Sequence, residues 1–307
     1  MSVTIIRPAT REEWLDLRKG GIGSSEVGSI LGVNPYKTPY AYWLEKTGQV
    51  PPPEENMAMR LGHLMEGVVA QLYEDATGNK VDKSTEGDWL ARSDFREYTC
   101  ASPDRICVTP DGGRVLLECK TTRLNVSEDD YPKSWFCQVQ YLLACTEMDE
   151  GAIAWLKGGS EFGMRRVRRD PKFQEFMFKR LDAFWENCMK MGIAPAPQSA
   201  DDVLSMFPSE KQPSVECDER MLETIQEYKH LKNLQDYYSD ALKVKEEEIK
   251  MFMGGAGSLT FGGDVVVTWK TGKPRATFDA KAFAADHPEM HKEYLRDSQP
   301  VRYFRVK

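Results

Sequence analysis

The stretch YTCASPDRICVTPDGGRVLLECK, residues 98 to 120, limits the fold more than any other part of the chain. Two apolar runs, 98–108 and 114–121, flank a TPDGG segment whose proline, aspartate and glycines suit a tight turn, which predicts an antiparallel pair of strands. Alternation along the second strand puts Val115, Leu117 and Cys119 on one face and Leu116, Glu118 and Lys120 on the other. A strand in a core rarely carries two charges without partners. In the register that the turn implies, Asp104 lies opposite Glu118, so two carboxylates and an ammonium converge. A salt bridge of Lys120 with one acid leaves the second acid unexplained. A cation between the carboxylates accounts for both, and an all-oxygen donor set suits Mg2+ or Mn2+ better than zinc.

The chain is long enough, at 307 residues, to bury a full core. Its 41% apolar and 29% charged residues are ordinary for a soluble protein, and no stretch reads as a membrane span or a signal peptide, so a cytoplasmic location is expected. Seven cysteines with no C-x-x-C pair and only four histidines exclude a disulfide framework and a zinc module. A net charge of -7 excludes attraction of nucleic acid by the whole surface. Any DNA contact must come from a local patch, of which Arg165 to Arg169 in MRRVRRD is the best.

Residues 1–195 alternate helices and strands, and APAPQS then marks a domain boundary. Within the first part, Thr10 and Glu13 form a capping box for a helix stopped at Gly20 and Gly21. A second helix is expected to start at Ser24 and Ser25, so that Arg18, two hydroxyls and exposed amides make a candidate anion site. The alternative is two capped helices with a solvated arginine. Residues 196–307 read as an extension. It holds a long amphipathic helix or a broken helical pair over 217–252, a hairpin about Gly262 and Gly263, a helical stretch over 278–295, and a closing strand, VRYFRVK.

Pro103-Asp104, thirteen intervening residues and Glu118-Cys119-Lys120 match the PD-(D/E)xK nuclease signature. With LRKGGIGSSEV (17–27), LGHLMEGVVAQLYE (61–74) and FCQVQYLLA (136–144) in the same order, the chain resembles the lambda exonuclease-like, or YqaJ-type viral recombinase, family of phage nucleases. The resemblance implies an α/β, restriction-endonuclease-like core with a central mixed sheet flanked by helices, followed by the mostly helical extension. It implies that Asp104, Glu118 and the backbone carbonyl of Cys119 hold one or two Mg2+ ions, with Mn2+ able to substitute. Lys120 would act on the attacking water, and Glu66 and Gln138 would complete the site. Arg18, Ser24 and Ser25 would bind the 5′ phosphate of a DNA end.

The activity so implied is Mg2+-dependent 5′-to-3′ degradation of one strand of linear duplex DNA. Its product is a 3′ single strand for an annealing protein, in a bacterial cytoplasm, by a ring of three subunits of phage or prophage origin. Two other readings use the same residues. A site-specific or structure-specific endonuclease needs base-reading elements that the sequence does not reveal, and a DNA-end-binding scaffold needs the metal site to be inert. An iron-sulfur repair nuclease is disfavoured, because only Cys188 and Cys217 follow Cys145, far apart.

Overall fold

Residues 115–119 are buried on both faces of the 114–122 run, one face apolar and the other carrying Glu118 beside Leu116, and the run lies in the middle of the main sheet rather than at its rim. In the computed structural model, which describes all residues except 1, 2, 86, 88, 95 and 297–300, strand β7 (Arg114–Thr122) pairs antiparallel with β6 (Arg105–Val108). On its other side it runs parallel to β8 (Glu150–Lys157), with Glu118 beside Ile153. Strands β3 (Lys80–Val81) and β9 (Glu161–Arg168) complete the order β3-β6-β7-β8-β9. Only β7 and β8 are parallel, so the sheet is mixed.

The alternation read from the sequence separates two cores. Val115, Leu117 and Cys119 pack with Val69, Ala70 and Tyr73 of helix α4 (Met57–Thr77). Leu116 packs on the opposite side with Val139, Tyr141, Leu142 and Leu143 of α5 (Lys133–Thr146), the helix that crosses from β7 to β8. Each such side chain, fully buried, stabilises the fold by about 1.5–3 kcal/mol. Helix α6 (Pro171–Phe184) adds Met177, Leu181 and Phe184 to the α5 side.

The N-terminal segments cover the α5 side of the molecule. Helix α1 (Arg11–Lys19) is capped by Thr10, which accepts from the Glu13 amide at 3.1 Å. A short strand β2 (Ile22–Gly23) follows and runs parallel to β5 (Thr99–Cys100). Helix α2 (Val27–Ile30) comes so close to α5 that a Cβ on Gly28 would lie 2.7 Å from that of Ser134. Helix α3 (Pro39–Lys46) and the pair β1 (Val3–Ile6) with β4 (Leu90–Ser93) complete this region.

Several expectations are corrected. The strand expected over 98–108 is two strands, β5 and β6, with Ala101 bridged instead to Ala91. Pro103, which has no N–H to donate, sits at the break. The helix expected from Ser24 is a 3-10 turn, Ser24–Glu26, followed by the single turn of α2. The terminal strand is absent: residues 301–307 form no regular element.

The chain divides into two compact units, Met1–Met206 and Phe207–Lys307. The first runs past APAPQS because α7 (Ala200–Met206) returns to it, with Asp202 buried and accepting from the Thr38 hydroxyl at 2.8 Å. In the second unit the 217–252 periodicity forms one unbroken helix, α8 (Glu219–Met253), capped by Asp218. It is followed by the hairpin β10 (Ser258–Phe261) and β11 (Asp264–Thr268), and by α9 (Ala280–Asp286) and α10 (Pro288–Tyr294).

Candidate active site

The β6–β7 register places Arg105 opposite Leu117. Asp104 and Glu118 are therefore the next pair out, at the point where the ladder stops. Asp104 is turned so that its carboxylate, rather than its backbone, meets the neighbouring strand, and Oδ2 accepts from the Cys119 amide at 2.7 Å. Glu118 is 2% exposed. Its Oε1 accepts from Lys120 Nζ at 2.7 Å and from Gln138 Nε2 at 2.5 Å, and Lys120 also donates to Gln138 Oε1 at 2.9 Å. Gln138 reaches the strand because it stands on the buried face of α5 with Tyr141, Leu142 and Cys145. The four residues Asp104, Glu118, Lys120 and Gln138 are thus brought together.

The electrostatics of this group are strained. Burial and the neighbouring Glu118 charge push the Asp104 carboxyl well above the usual carboxylate range, against the opposing pull of Lys120. Burial raises Glu118 as well, with Lys120 offsetting part of the rise. For Lys120 burial acts downward, but Glu118 and Asp104 outweigh it and the ammonium is held above its ordinary value. Glu118 Oε2 is buried and has no hydrogen-bond partner among the described residues. A buried carboxylate oxygen without a donor is costly, and a hard divalent cation shared with Asp104 removes that cost while relieving the repulsion. The donor set therefore fits Mg2+ or Mn2+.

Glu66 is the outlying member. It lies on α4 one turn before the buried Val69, Ala70 and Tyr73, and its charge is felt by Asp104 and Glu118. Its carboxylate, however, is half-buried and bonded to His63 Nδ1 at 3.1 Å. Among the described residues no group of three or more His, Cys, Asp or Glu side chains is arranged to hold a metal ion. The fit consequently rests on Asp104 and Glu118.

The candidate anion site is assembled from Arg18 and Ser25, with Arg18 Nη2 donating to Ser25 Oγ at 3.3 Å. Ser25 is exposed, while Ser24 is buried. The guanidinium lies over the Trp14 ring at 4.7 Å and 3.9 Å from Glu26 Oε1. Glu26 has no marked signal in the sequence, yet it organises the turn. Its Oε2 accepts from the Gly23 amide at 2.7 Å and from the Tyr42 hydroxyl at 2.8 Å, with Lys46 Nζ at 3.4 Å. The Gly23 amide is therefore already satisfied, and an anion here would meet a guanidinium and a hydroxyl rather than a row of free amides.

A model of the YqaJ-like viral recombinase domain matches residues 13–149, the span that contains every residue of the two candidate sites. The chain is 31% identical over 306 residues to the Bacillus subtilis (strain 168) protein YqaJ, an alignment covering 96% of this chain and 93% of that one. The chain belongs to the YqaJ-like viral recombinase family. A second relative is protein R354 of Acanthamoeba polyphaga mimivirus, 30% identical over 154 residues, or 45% of this chain and 27% of that one. Among solved structures the fold is similar to an alkaline exonuclease from Laribacter hongkongensis, with 20% identity, a TM-score of 0.47, and coverage of 59% of this chain and 93% of that one. It is also similar to a phage-related exonuclease from Haemophilus somnus 129PT, with 11% identity, a TM-score of 0.40 and coverage of 56% and 96%.

The arginine patch lies on and just after β9, at the edge of the sheet and beyond the residues that the family model matches. Arg168 is strongly exposed beside Glu150, and Arg165 pairs with Asp129. Acidic neighbours thus offset part of the patch. Among the described residues no helix is long and apolar enough to cross a membrane.

Proposed function

We propose that the protein is a Mg2+-dependent exonuclease that degrades linear duplex DNA from its 5′ ends, leaving 3′ single strands for an annealing protein to pair. The observation that carries this reading is Glu118. One of its oxygens is held by Lys120 and Gln138 and the other is buried without a partner, beside an Asp104 fixed on the Cys119 amide. Phosphodiester hydrolysis needs a nucleophilic water and compensation for charge that builds on the phosphate oxygens. A divalent cation, when bound, supplies Lewis acidity toward the phosphate and lowers the pKa of water.

The chain's own residues do the rest. Asp104 and Glu118 would hold the ion, with the Cys119 carbonyl as a further donor and Glu66 drawn in from α4. Lys120, kept charged by its two acids, places a fixed positive charge where phosphate charge develops, and no proton has to move for it to help. Gln138 clamps Glu118 and Lys120 in one orientation, which is the support that a precise site needs. Arg18 and Ser25 offer a guanidinium and a hydroxyl to the terminal 5′ phosphate, which carries more charge than an internal diester. A ring of three subunits around the duplex would let an acidic chain retain its substrate.

The experiment compares linear and covalently closed duplex DNA, with Mg2+ and with chelator, and labels each end of the linear form in turn. The reading expects Mg2+-dependent loss of the 5′ label from linear DNA and lasting resistance of the closed circle. Nicking of the circle would assign the site to an endonuclease, and binding of ends without cleavage would assign it to a scaffold.

A further inference from the structure

Among the described residues of the second unit, only Met253 is buried. Helix α8 runs for 35 residues through this unit, and apart from Met253 and the half-buried Ile225 its large apolar side chains are exposed. Numbered as heptads from Met221, the a positions hold Met221, Tyr228, Gln235, Leu242 and Ile249. The d positions hold Thr224, Leu231, Tyr238, Lys245 and Phe252. Seven of these ten are apolar, and all seven are exposed, up to 70% at Leu242 and 81% at Phe252. The Tyr228 ring packs edge-on against Phe304, itself 80% exposed. A repeat of seven kept over five heptads is the pattern of a left-handed coiled coil, and a polar residue at isolated a and d positions fixes its register. A shorter apolar run, Tyr237, Val244 and Met251, lies at c positions and is confined to the C-terminal half of the helix.

The flanking charges select the occupant. In a parallel, in-register pair of identical helices each g residue faces the following e residue of the other helix. Glu227 then faces Lys232, and the remaining pairs are Arg220 with Ile225, Leu234 with Ser239, Ala241 with Glu246 and Glu248 with Met253. One pair is attractive and none is like-charged. In the full-length antiparallel register g faces g, and Glu227 meets Glu248. We propose that the a and d face of α8 binds a second copy of the same helix, parallel and in register, as a coiled coil that joins two chains independently of the nuclease core.

The test uses the full-length protein. Cys217, two residues before α8, is exposed, whereas the other six cysteines are buried. It falls at a d position of the preceding heptad. Parallel pairing brings two Cys217 thiols together, while antiparallel pairing separates them by about 50 Å, the length of the helix. A short bis-maleimide should therefore link wild type into a covalent dimer, and Cys217→Ser should remove the product. Leu231→Glu with Leu242→Glu should also remove it. In case that change unfolds the helix, Glu227→Lys should raise several-fold the concentration needed for half-maximal linking, and Lys232→Glu added to it should restore the wild-type value. Linking that ignores both the leucine and the charge substitutions would overturn the proposal, as would failure of wild type to link. Formation of a Leu231→Cys to Leu242→Cys adduct in the Cys217→Ser background would establish the antiparallel pair instead. DNA degradation is not a readout here, so the outcome is separable from that of the proposed nuclease.

Discussion

The Tyr141 hydroxyl donates to the Ile22 carbonyl at 2.7 Å across 119 positions of sequence, and the same oxygen accepts from the Cys100 amide at 3.1 Å. Tyr141 lies one turn after Gln138 on α5, and Ile22 precedes Gly23 and the two serines. One buried phenol thus ties the helix that clamps Glu118 to the loop that carries the candidate phosphate contacts. Tyr141→Phe leaves a buried amide and carbonyl without that oxygen, at a cost of about 1–3 kcal/mol. The expected result is a lower melting temperature together with a weaker preference for 5′-phosphorylated over 5′-hydroxyl ends. An unchanged preference in a destabilised variant would confine Tyr141 to a packing role.

Gly23 offers a milder perturbation of the same loop. A Cβ there would stand 2.6 Å from Arg18 Nη2, and the flexible guanidinium can retreat. Gly23→Ala should therefore fold but displace Arg18 from Ser25. Single-turnover degradation of phosphorylated and hydroxyl ends, at one fixed salt concentration, should show the preference reduced as far as in Arg18→Ala. Retention of the full preference by both variants would leave Arg18 a solvated helix residue.

At the proposed metal site, Lys120→Gln should lower the cleavage rate by on the order of 10²–10³, the usual loss on removing one charge-stabilising group, with little change in DNA affinity. Asp104→Asn should abolish cleavage while binding of DNA ends persists. Equal losses of rate and affinity for Lys120→Gln would mean that its bond to Glu118 serves folding alone.

The raised carboxyls give a pH signature in metal-free protein. Asp104 and Glu118 both hold their protons to higher pH in the folded chain than in the unfolded one. Their contribution to stability is complete below the ordinary carboxylate range and is lost as pH climbs through the raised values, by about 1.4 kcal/mol per group for each unit of separation. Melting temperature without metal should fall over that window. Mg2+ should reverse the fall, because the cation takes the place of the protons. Asp104→Asn should show a smaller fall and a smaller Mg2+ effect, and superimposable wild-type and variant curves would speak against the shared ion.

The hairpin and its charges were legible because a period-two pattern and a TPDGG turn are local signals. They gave the two faces of β7 and the Asp104–Glu118 pairing. Gln138 and Glu66 were legible through the family pattern and by helical spacing, though spacing could not tell that Glu66 would bond to His63. The break at Pro103 was visible in principle, since a proline inside a strand removes a donor. Glu26 and Tyr141 left no trace, because their partners are backbone groups of distant segments and any acid or aromatic residue looks alike in sequence. The APAPQS boundary missed α7, whose return to the first unit depends on the Asp202–Thr38 bond, 164 positions apart.

The parallel pairings of the first unit also order its assembly in time. Asp104, Glu118 and Lys120 are joined by a turn, so the two acids and the amine can meet within a short loop. Ile22 must cross far more of the chain to lie beside Thr99, and β7 reaches β8 only after α5 has been threaded between them. Closing such loops sacrifices chain entropy before any contact rewards it. The refolding chain should therefore form the β6–β7 hairpin, with Asp104, Glu118 and Lys120 on it, before the β2–β5 and β7–β8 pairings close.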